Sequence, residues 1–175
     1  MIWRPFRRTA RPDPWAPWWD EADRAAAAPS AEAIERLQRA IVQARAGRDA
    51  DVEQQEEMVE GLRHLLPLAA GNGLPVIASQ HRVIGADACH FMAPVTLAGA
   101  AAAPGKLFLT SRRLVLVSAG VTSRPWHAVH HVARAGRRLS IGAGEEAIVV
   151  QCNSFGDALA AHHLAIRLSS GRRRT

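Results

Sequence analysis

The sequence predicts an α+β protein in which helices precede and follow an antiparallel β-structure. Apolar residues recur at helical spacing between residues 30 and 66, and short apolar runs follow one another between residues 75 and 152. Helical spacing then returns from residue 153 to the end of the chain. Several short strands at near-regular spacing are typical of an antiparallel barrel or sandwich.

The composition fits one globular domain with an appendage. The chain has 175 residues, 48% of them hydrophobic, which is enough to bury one core. No apolar run approaches the roughly 20 residues of a membrane-spanning helix, and the first residues lack the apolar stretch of a signal peptide. We therefore expect a cytoplasmic protein, in which Cys89 and Cys152 stay reduced and act as small buried hydrophobic residues.

Residues 1–29 are rich in tryptophan and proline, and three of the tryptophans are Trp15, Trp18 and Trp19. This density of proline predicts an extended or disordered tail, although such segments are normally poor in aromatic residues. Two interpretations stay open. Either some of these rings pack on an apolar groove of the chain's own domain, or they anchor the chain to a partner protein or a membrane interface.

Residues 30–70 are predicted to form an antiparallel helical hairpin. Ser30 is a candidate N-cap for a first helix over about residues 31–46, which Gly47 ends. A second helix should end just ahead of Pro67. Both helices have an apolar face that must be buried, either against the downstream domain or against a second copy of the chain.

Residues 75–171 form the predicted barrel domain. In the stretch GKLFLTSRRLVLVS, two apolar runs flank the turn TSRR, which predicts a hairpin of central strands. The stretches RPWHAV, RRLSI and AIVVQC are further candidate strands. Asn153 or Ser154 then caps a final helix that contains DALAAHHLAIRL.

Over about residues 86–170 these elements resemble the GRAM-type branch of the pleckstrin-homology (PH) superfamily. The shared pattern is a glycine, an apolar strand ending in threonine, a tight turn, Arg-Leu and a second apolar strand, matched by Gly105, Leu107, Leu109, Thr110, Arg113 and Leu114. The resemblance implies a bent, partly open, PH-like antiparallel β-barrel with the C-terminal helix plugging one end. It also implies a protein that binds without catalysis, through loops at the barrel mouth or through an exposed strand edge and face.

The net charge of +6 is concentrated in residues 86–175, which carry eleven basic against four acidic residues. Part of it belongs to residues 172–175, a basic tail predicted to be frayed. The candidate residues for a partner or lipid, besides the tryptophans, are Lys106, Arg112, Arg124, Arg137 and Arg138. Such cations, with Arg134, would be attracted to an anionic membrane by about 1 kcal/mol each.

The distribution of these cations favours a protein partner over a lipid headgroup. The first loop of the barrel, AGAAAAPG, has no cation ahead of Lys106, whereas phosphoinositide binders gather several cations around the first hairpin. We therefore expect an adaptor-like module for an unidentified protein partner. The alternative is a peripheral membrane module that binds anionic headgroups.

Other classes of function receive little support. The histidine clusters HAVHH and AHHLA place neighbouring imidazoles on opposite faces of a strand or about 100° apart on a helix, whereas zinc needs converging ligands. No HExxH, paired CxxC or nucleophile elbow occurs, and neither cysteine has a setting that predicts a reactive thiolate. The basic residues are scattered and tyrosine is absent, which argues against nucleic acid. We expect no catalytic residue, cofactor or metal.

Overall fold

The computed structural model describes residues 16–45, 52–69, 73–79, 81–98 and 102–171. The helices are α1 (Ala16–Ala27), α2 (Ala31–Arg45), α3 (Val52–Ala69) and α4 (Phe155–Ser170). The strands are β1 (Cys89–Leu97), β2 (Ala103–Thr110), β3 (Arg113–Val117), β4 (Val121–Pro125), β5 (Val129–Ala135), β6 (Arg138–Ala143) and β7 (Glu146–Cys152). A short 3-10 turn, Trp126–Ala128, separates β4 from β5.

The strands form one antiparallel sheet in the order β4-β3-β2-β1-β7-β6-β5. The predicted hairpin is β2 and β3, in a register that sets Leu107 opposite Leu116 and Leu109 opposite Leu114. Within the described ranges β4 and β5 do not pair with each other, so the sheet has two edges and is not closed into a barrel. The predicted α+β architecture, with an antiparallel sheet and a C-terminal helix, is therefore confirmed. Where a partly open barrel is expected, the described strands form an open sheet that is not closed into a barrel.

One face of the sheet shares a hydrophobic core with all the helices. Alternate residues of the strands point to this face because side chains alternate along a strand, and they meet the apolar faces of α1, α2, α3 and α4. Trp126 is fully buried there, and its Nε1 donates to the Thr110 carbonyl at 2.7 Å. The apolar faces of α2 and α3 are thus buried by this chain itself.

The opposite face of the sheet carries a smaller apolar cluster. Phe108 and Val115 are buried there beneath Ile84, which lies in the turn that precedes β1. At the end of β2, Thr110 Oγ1 donates to the Arg113 carbonyl at 2.7 Å and accepts from the Arg113 amide at 3.1 Å. The threonine at this position therefore closes the hairpin turn and belongs to the structure of the turn.

The first helix corrects part of the prediction of an extended or disordered tail over residues 1–29, because α1 is helical over Ala16–Ala27. Residues 1–15 of the predicted tail lie outside the described residues. Pro17 lies in the first turn, where its missing N–H removes no helical hydrogen bond and its fixed φ suits the helix. Trp19 is 8% exposed within the main core, and Trp18 packs against the same core. For these two rings the structure favours packing on the chain's own domain. Trp15 lies outside the described residues.

The third helix runs further than the sequence predicts. It continues through Pro67 to Ala69, whereas the expected end lies ahead of the proline. A proline in the last turn forfeits one backbone hydrogen bond close to the point where the helix stops in any case. Proline therefore marks the approach of the helix end here rather than the end itself.

Candidate functional site

The backbone hydrogen bonds at both ends of β4 fix which of its residues face β3. The Trp126 amide donates to the Arg112 carbonyl at 3.3 Å, and the Ser118 amide donates to the Gly120 carbonyl at 2.8 Å. In an antiparallel ladder, hydrogen-bonded and non-hydrogen-bonded pairs alternate along the strands. Both bonds fit the same register. Every second residue after Gly120 therefore directs its backbone N–H and C=O groups towards β3.

The remaining residues of β4 direct their backbone groups away from the sheet. Thr122 and Arg124 direct their backbone hydrogen-bonding groups at β3, while Val121 and Ser123 point their N–H and C=O groups outward. Pro125 has no N–H, and as the N-cap of the 3-10 turn its carbonyl accepts the first hydrogen bond of that turn. No strand covers this side of β4 within the part of the chain that the structure describes. Val121 and Ser123 therefore offer two donors and two acceptors to an incoming strand.

The side chains beside this edge are partly apolar. Val121 is 58% exposed and stands opposite Val117 of β3. Ser123 stands opposite Val115, which is buried in the smaller apolar cluster. Side chains on opposite residues of neighbouring strands share a face of the sheet. An added strand would thus place alternate side chains next to Val121 on this face.

The Arg124 side chain occupies one acceptor of this edge. Its Nη1 donates to the outward carbonyl of Ser123 at 3.2 Å, and its Nη2 lies 2.6 Å from Glu146 Oε2 at the start of β7. Charged side chains are a common way to keep an edge strand from pairing with other chains. The Glu146 side chain is 76% exposed, and an ion pair of this kind contributes only about 0–1 kcal/mol. An incoming strand can therefore displace the Arg124 side chain at a small cost in free energy.

The other predicted basic residues are engaged within the chain or lie apart. Arg112 Nε and Arg113 Nε lie 2.8 Å and 3.1 Å from the two oxygens of Asp87, whose side chain is 6% exposed. Lys106 Nζ lies 5.9 Å from the centre of the Phe108 ring. Arg112 and Arg113 therefore share one buried carboxylate, whereas Arg124 is paired with Glu146.

The β5–β6 turn holds the last two predicted arginines. Arg137 donates to the Asn153 carbonyl at 3.0 Å, lies 3.6 Å from Glu57 and stacks over the Phe155 ring at 4.4 Å. Arg138 is exposed at the start of β6. Arg137 therefore holds this turn against α3 and α4, and Arg138 is left as the exposed cation of the pair.

A polar cluster that the sequence analysis missed joins α1 to α4 and β5. Asp23 Oδ2 accepts from Arg134 Nη2 at 2.6 Å, and Asp23 Oδ1 lies 3.0 Å from His163 Nε2. The rings of His162 and His163 are 5.0 Å apart and nearly perpendicular. The histidine pair is visible in the sequence as AHHLA, but Asp23 lies 140 residues away from His163, and only the docking of α1 brings it there.

Burial and charge set the protonation of this cluster. Burial by itself would raise the pKa of Asp23, but the hydrogen bond with His163 and the charge of Arg134 outweigh it, so this pKa lies below its ordinary value. Burial lowers the pKa of His162 to about 4, with a further lowering by His163. At neutral pH the cluster therefore holds a carboxylate, and the His162 imidazole in it is uncharged.

The two cysteines are buried thiols. Burial raises the pKa of Cys152 to about 12, and the charge of Asp157 adds to this effect. Burial also raises the pKa of Cys89, whose Sγ donates to the Phe91 carbonyl at 3.3 Å. Both side chains thus act as the small hydrophobic residues that the sequence predicts, and neither is a thiolate at neutral pH.

No helix among the described residues is long and apolar enough to cross a membrane. No family model matches this chain, and no curated protein matches it. Among solved structures, the C-terminal domain of an unknown protein from Leishmania infantum is similar to it, with 13% identity and a TM-score of 0.43 over 49% of this chain and 88% of that chain.

Proposed function

We propose that this chain is a non-catalytic binding module of PH-like architecture, which takes up an extended segment of a partner protein along the free edge of β4. The observation that carries the proposal is the outward-facing backbone of Val121 and Ser123, on a strand that pairs with no other described strand on that side. Addition of a strand to a sheet edge is a common way to bind a peptide, in which main-chain hydrogen bonds supply affinity.

The order of the elements supports a PH-like architecture. A meander from β1 to β4 lies next to a meander from β5 to β7, and one helix, α4, follows the last strand. This succession agrees with the order of elements in the GRAM-type resemblance. The two edges of the open sheet lie at β4 and β5, which are the last strand of one meander and the first of the other.

Side chains and charge describe the segment that would fit. Val121 favours an apolar or β-branched residue at the position that faces it, since such pairs stabilise neighbouring strands. The net charge of the chain is +6, which speeds the approach of an acidic partner through long-range attraction. We therefore expect an extended segment with an apolar residue at its centre and acidic residues beside it.

The ion pairs of the chain favour this proposal over lipid binding. Arg112 and Arg124 are each held by a carboxylate, and Arg137 lies beside a third. A phosphate group would have to compete for Arg112 with Asp87, whose side chain is 6% exposed. The backbone of β4, in contrast, needs only the displacement of Arg124 from the Ser123 carbonyl.

The test is selection of extended peptides from a displayed random library on the full chain, followed by affinity measurements with two variants. Ser123→Pro removes an outward N–H and leaves the β3–β4 hydrogen bonds in place, and Ser123→Ala is the matched control that keeps the N–H. We expect at least a tenfold loss of affinity in Ser123→Pro and little change in Ser123→Ala. Thermal unfolding of both variants verifies that they fold, and Val121→Lys provides a second block of the edge that leaves the backbone unchanged.

Two results would overturn the proposal. Selected peptides that bind Ser123→Pro and Val121→Lys as tightly as the natural chain use another surface. Sedimentation of the chain with phosphatidylserine vesicles at physiological salt, in the absence of any selectable peptide, would favour the alternative of a peripheral membrane module.

A further inference from the structure

We propose that Asp23, His162 and His163 form a binding site for a divalent transition-metal ion of the Zn²⁺ class, which ties α1 to α4. A ligand atom of each residue lies within 4.8 Å of the ligand atoms of the other two. These side chains come from two helices that are far apart in the sequence. The metal would therefore link two helices that already lie in contact. This inference is independent of the proposed binding at β4.

The donor set matches the chemistry of zinc. Imidazole nitrogens and a carboxylate oxygen are common zinc ligands, and three protein ligands with a water in the fourth position complete a tetrahedral site. Two imidazoles favour zinc, copper or nickel over magnesium and calcium, which prefer oxygen ligands. A Zn–N bond of about 2.0–2.1 Å requires only a small approach of side chains that already lie this close.

One ring nitrogen of His162 is a buried polar atom without a partner among the described residues. His162 Nδ1 has no hydrogen-bond partner within the described part of the chain, and it is shielded from solvent. A buried polar atom without a partner is rare enough in native proteins to call for an explanation, and a metal ligand provides one.

The carboxylate is already oriented for this role. Arg134 Nη2 holds Asp23 Oδ2 at 2.6 Å, which leaves Oδ1 directed at His163 Nε2 at 3.0 Å. Arg134 is itself fixed, since its side chain is 4% exposed and its guanidinium lies 4.3 Å from the Trp19 ring centre. Groups that hold a ligand by its second oxygen are typical of metal sites. The positive charge of Arg134 also lowers the affinity, so we expect binding that is weaker than in a structural zinc site.

The test is titration of the full chain with ZnCl₂. Calorimetry measures the binding, and thermal unfolding measures its effect on Tm. Because the metal binds only the folded state, free Zn²⁺ at a hundredfold excess over Kd should raise Tm by roughly 5–10 °C. His162→Gln and His163→Gln, made separately, should each abolish this rise, whereas the control His127→Gln, at an exposed histidine of another element, should keep it. Titration with Co²⁺ should give the visible absorption of a tetrahedral site in the natural chain and not in His162→Gln.

His162→Gln keeps the contact between Asp23, Arg134 and His163, so the variant is expected to fold, and its Tm without metal verifies this. The proposal is wrong if Zn²⁺ leaves Tm of the natural chain unchanged at millimolar concentration. It is equally wrong if the rise in Tm persists in both histidine variants. A rise that MgCl₂ reproduces at the same concentration would indicate a general ionic effect and would also overturn it.

Discussion

Trp19 is the side chain through which α1 is built into the domain. Its ring lies 4.7 Å from Phe155 of α4, and the Arg134 guanidinium lies over it at 4.3 Å. Phe155 in turn is covered by Arg137 at 4.4 Å. The two neighbouring rings therefore lie between two cations, and each contact adds to the energy of burying the rings.

Replacement of this ring should weaken the fold strongly. We expect Trp19→Ala to lower the free energy of unfolding by about 3–5 kcal/mol, the range for large aromatic residues removed from a core. The measurement is urea unfolding, with Val42→Ala as the control, since Val42 is 59% exposed on α2. A loss below about 1 kcal/mol would mean that the ring does not pack as described.

Cys152 makes stability depend on pH in the alkaline range. Its thiol has a pKa of about 12 in the folded chain against 9.0 for the free group, so between these values the unfolded chain has lost a proton that the folded chain keeps. Stability must then fall as pH rises from about 9 towards 12. The chain has no tyrosine, and Cys89 is its other thiol.

Cys152→Ala should flatten this dependence. We expect the unfolding free energy to fall less steeply between pH 9 and pH 11 in the variant than in the natural chain. The difference between the two slopes should correspond to almost one proton per molecule. Urea unfolding at several pH values measures it. Equal slopes in the two proteins would contradict the burial of this thiol.

At the scale of elements, α3 and α4 approach closely through two glycines. A Cβ at Gly61 would lie 2.6 Å from backbone atoms of Gly156, and a Cβ at Gly156 would lie 2.3 Å from the Glu57 carbonyl oxygen. Backbone atoms cannot move aside as a flexible side chain does. The two helices therefore cross at a distance that only glycine permits.

Gly61→Ala should destabilise the chain even though alanine is the better helix former. Alanine gains about 1 kcal/mol of helix propensity over glycine, but forced overpacking costs about 1–3 kcal/mol, and here the clash is with backbone. We expect a net loss of unfolding free energy in thermal or urea unfolding. Gly120→Ala is the matched control, because no atom lies within 4 Å of a Cβ at that position. A stabilised Gly61→Ala would show that the helices lie further apart.

The sequence predicts most of these elements because their patterns are local. The β2–β3 hairpin, the later strands and α4, with Ser154 as its N-cap, follow from apolar period and turn residues. The helix α1 does not, because proline density argues against it, whereas Pro17 lies where proline is tolerated. Its stability comes from burial of Trp19 against α4, which no local pattern reveals.

At the scale of the whole molecule, α1 is part of the domain rather than a detachable tail. Trp19, Ala22, Ala25 and Ala26 lie in the same core as the sheet. Asp23 adds the contacts with Arg134 and His163. We expect deletion of residues 1–29 to lower Tm markedly and to increase proteolytic sensitivity, contrary to what a disordered tail would give. A truncated chain with unchanged Tm would restore the interpretation of these rings as an anchor.

The candidate sites could be predicted only in part. Lys106, Arg112, Arg124 and Arg137 are recognisable as basic residues, but their contacts with Phe108, Asp87, Glu146 and Glu57 depend on tertiary structure. The free edge of β4 follows from the order of strands, and the cluster at Asp23 follows from the docking of α1. Both arise from contacts between distant segments, which residue spacing does not encode.

The most direct test of the binding edge is residue-resolved amide hydrogen exchange on the free chain and on the chain saturated with a selected peptide. In the free chain, the amides of Val121 and Ser123 should exchange rapidly, while those of Thr122 and Arg124 are protected by β3. On saturation, Val121 and Ser123 should become protected as well. Equal protection of all four amides in the free chain, or new protection confined to another part of the molecule, would contradict the proposed function.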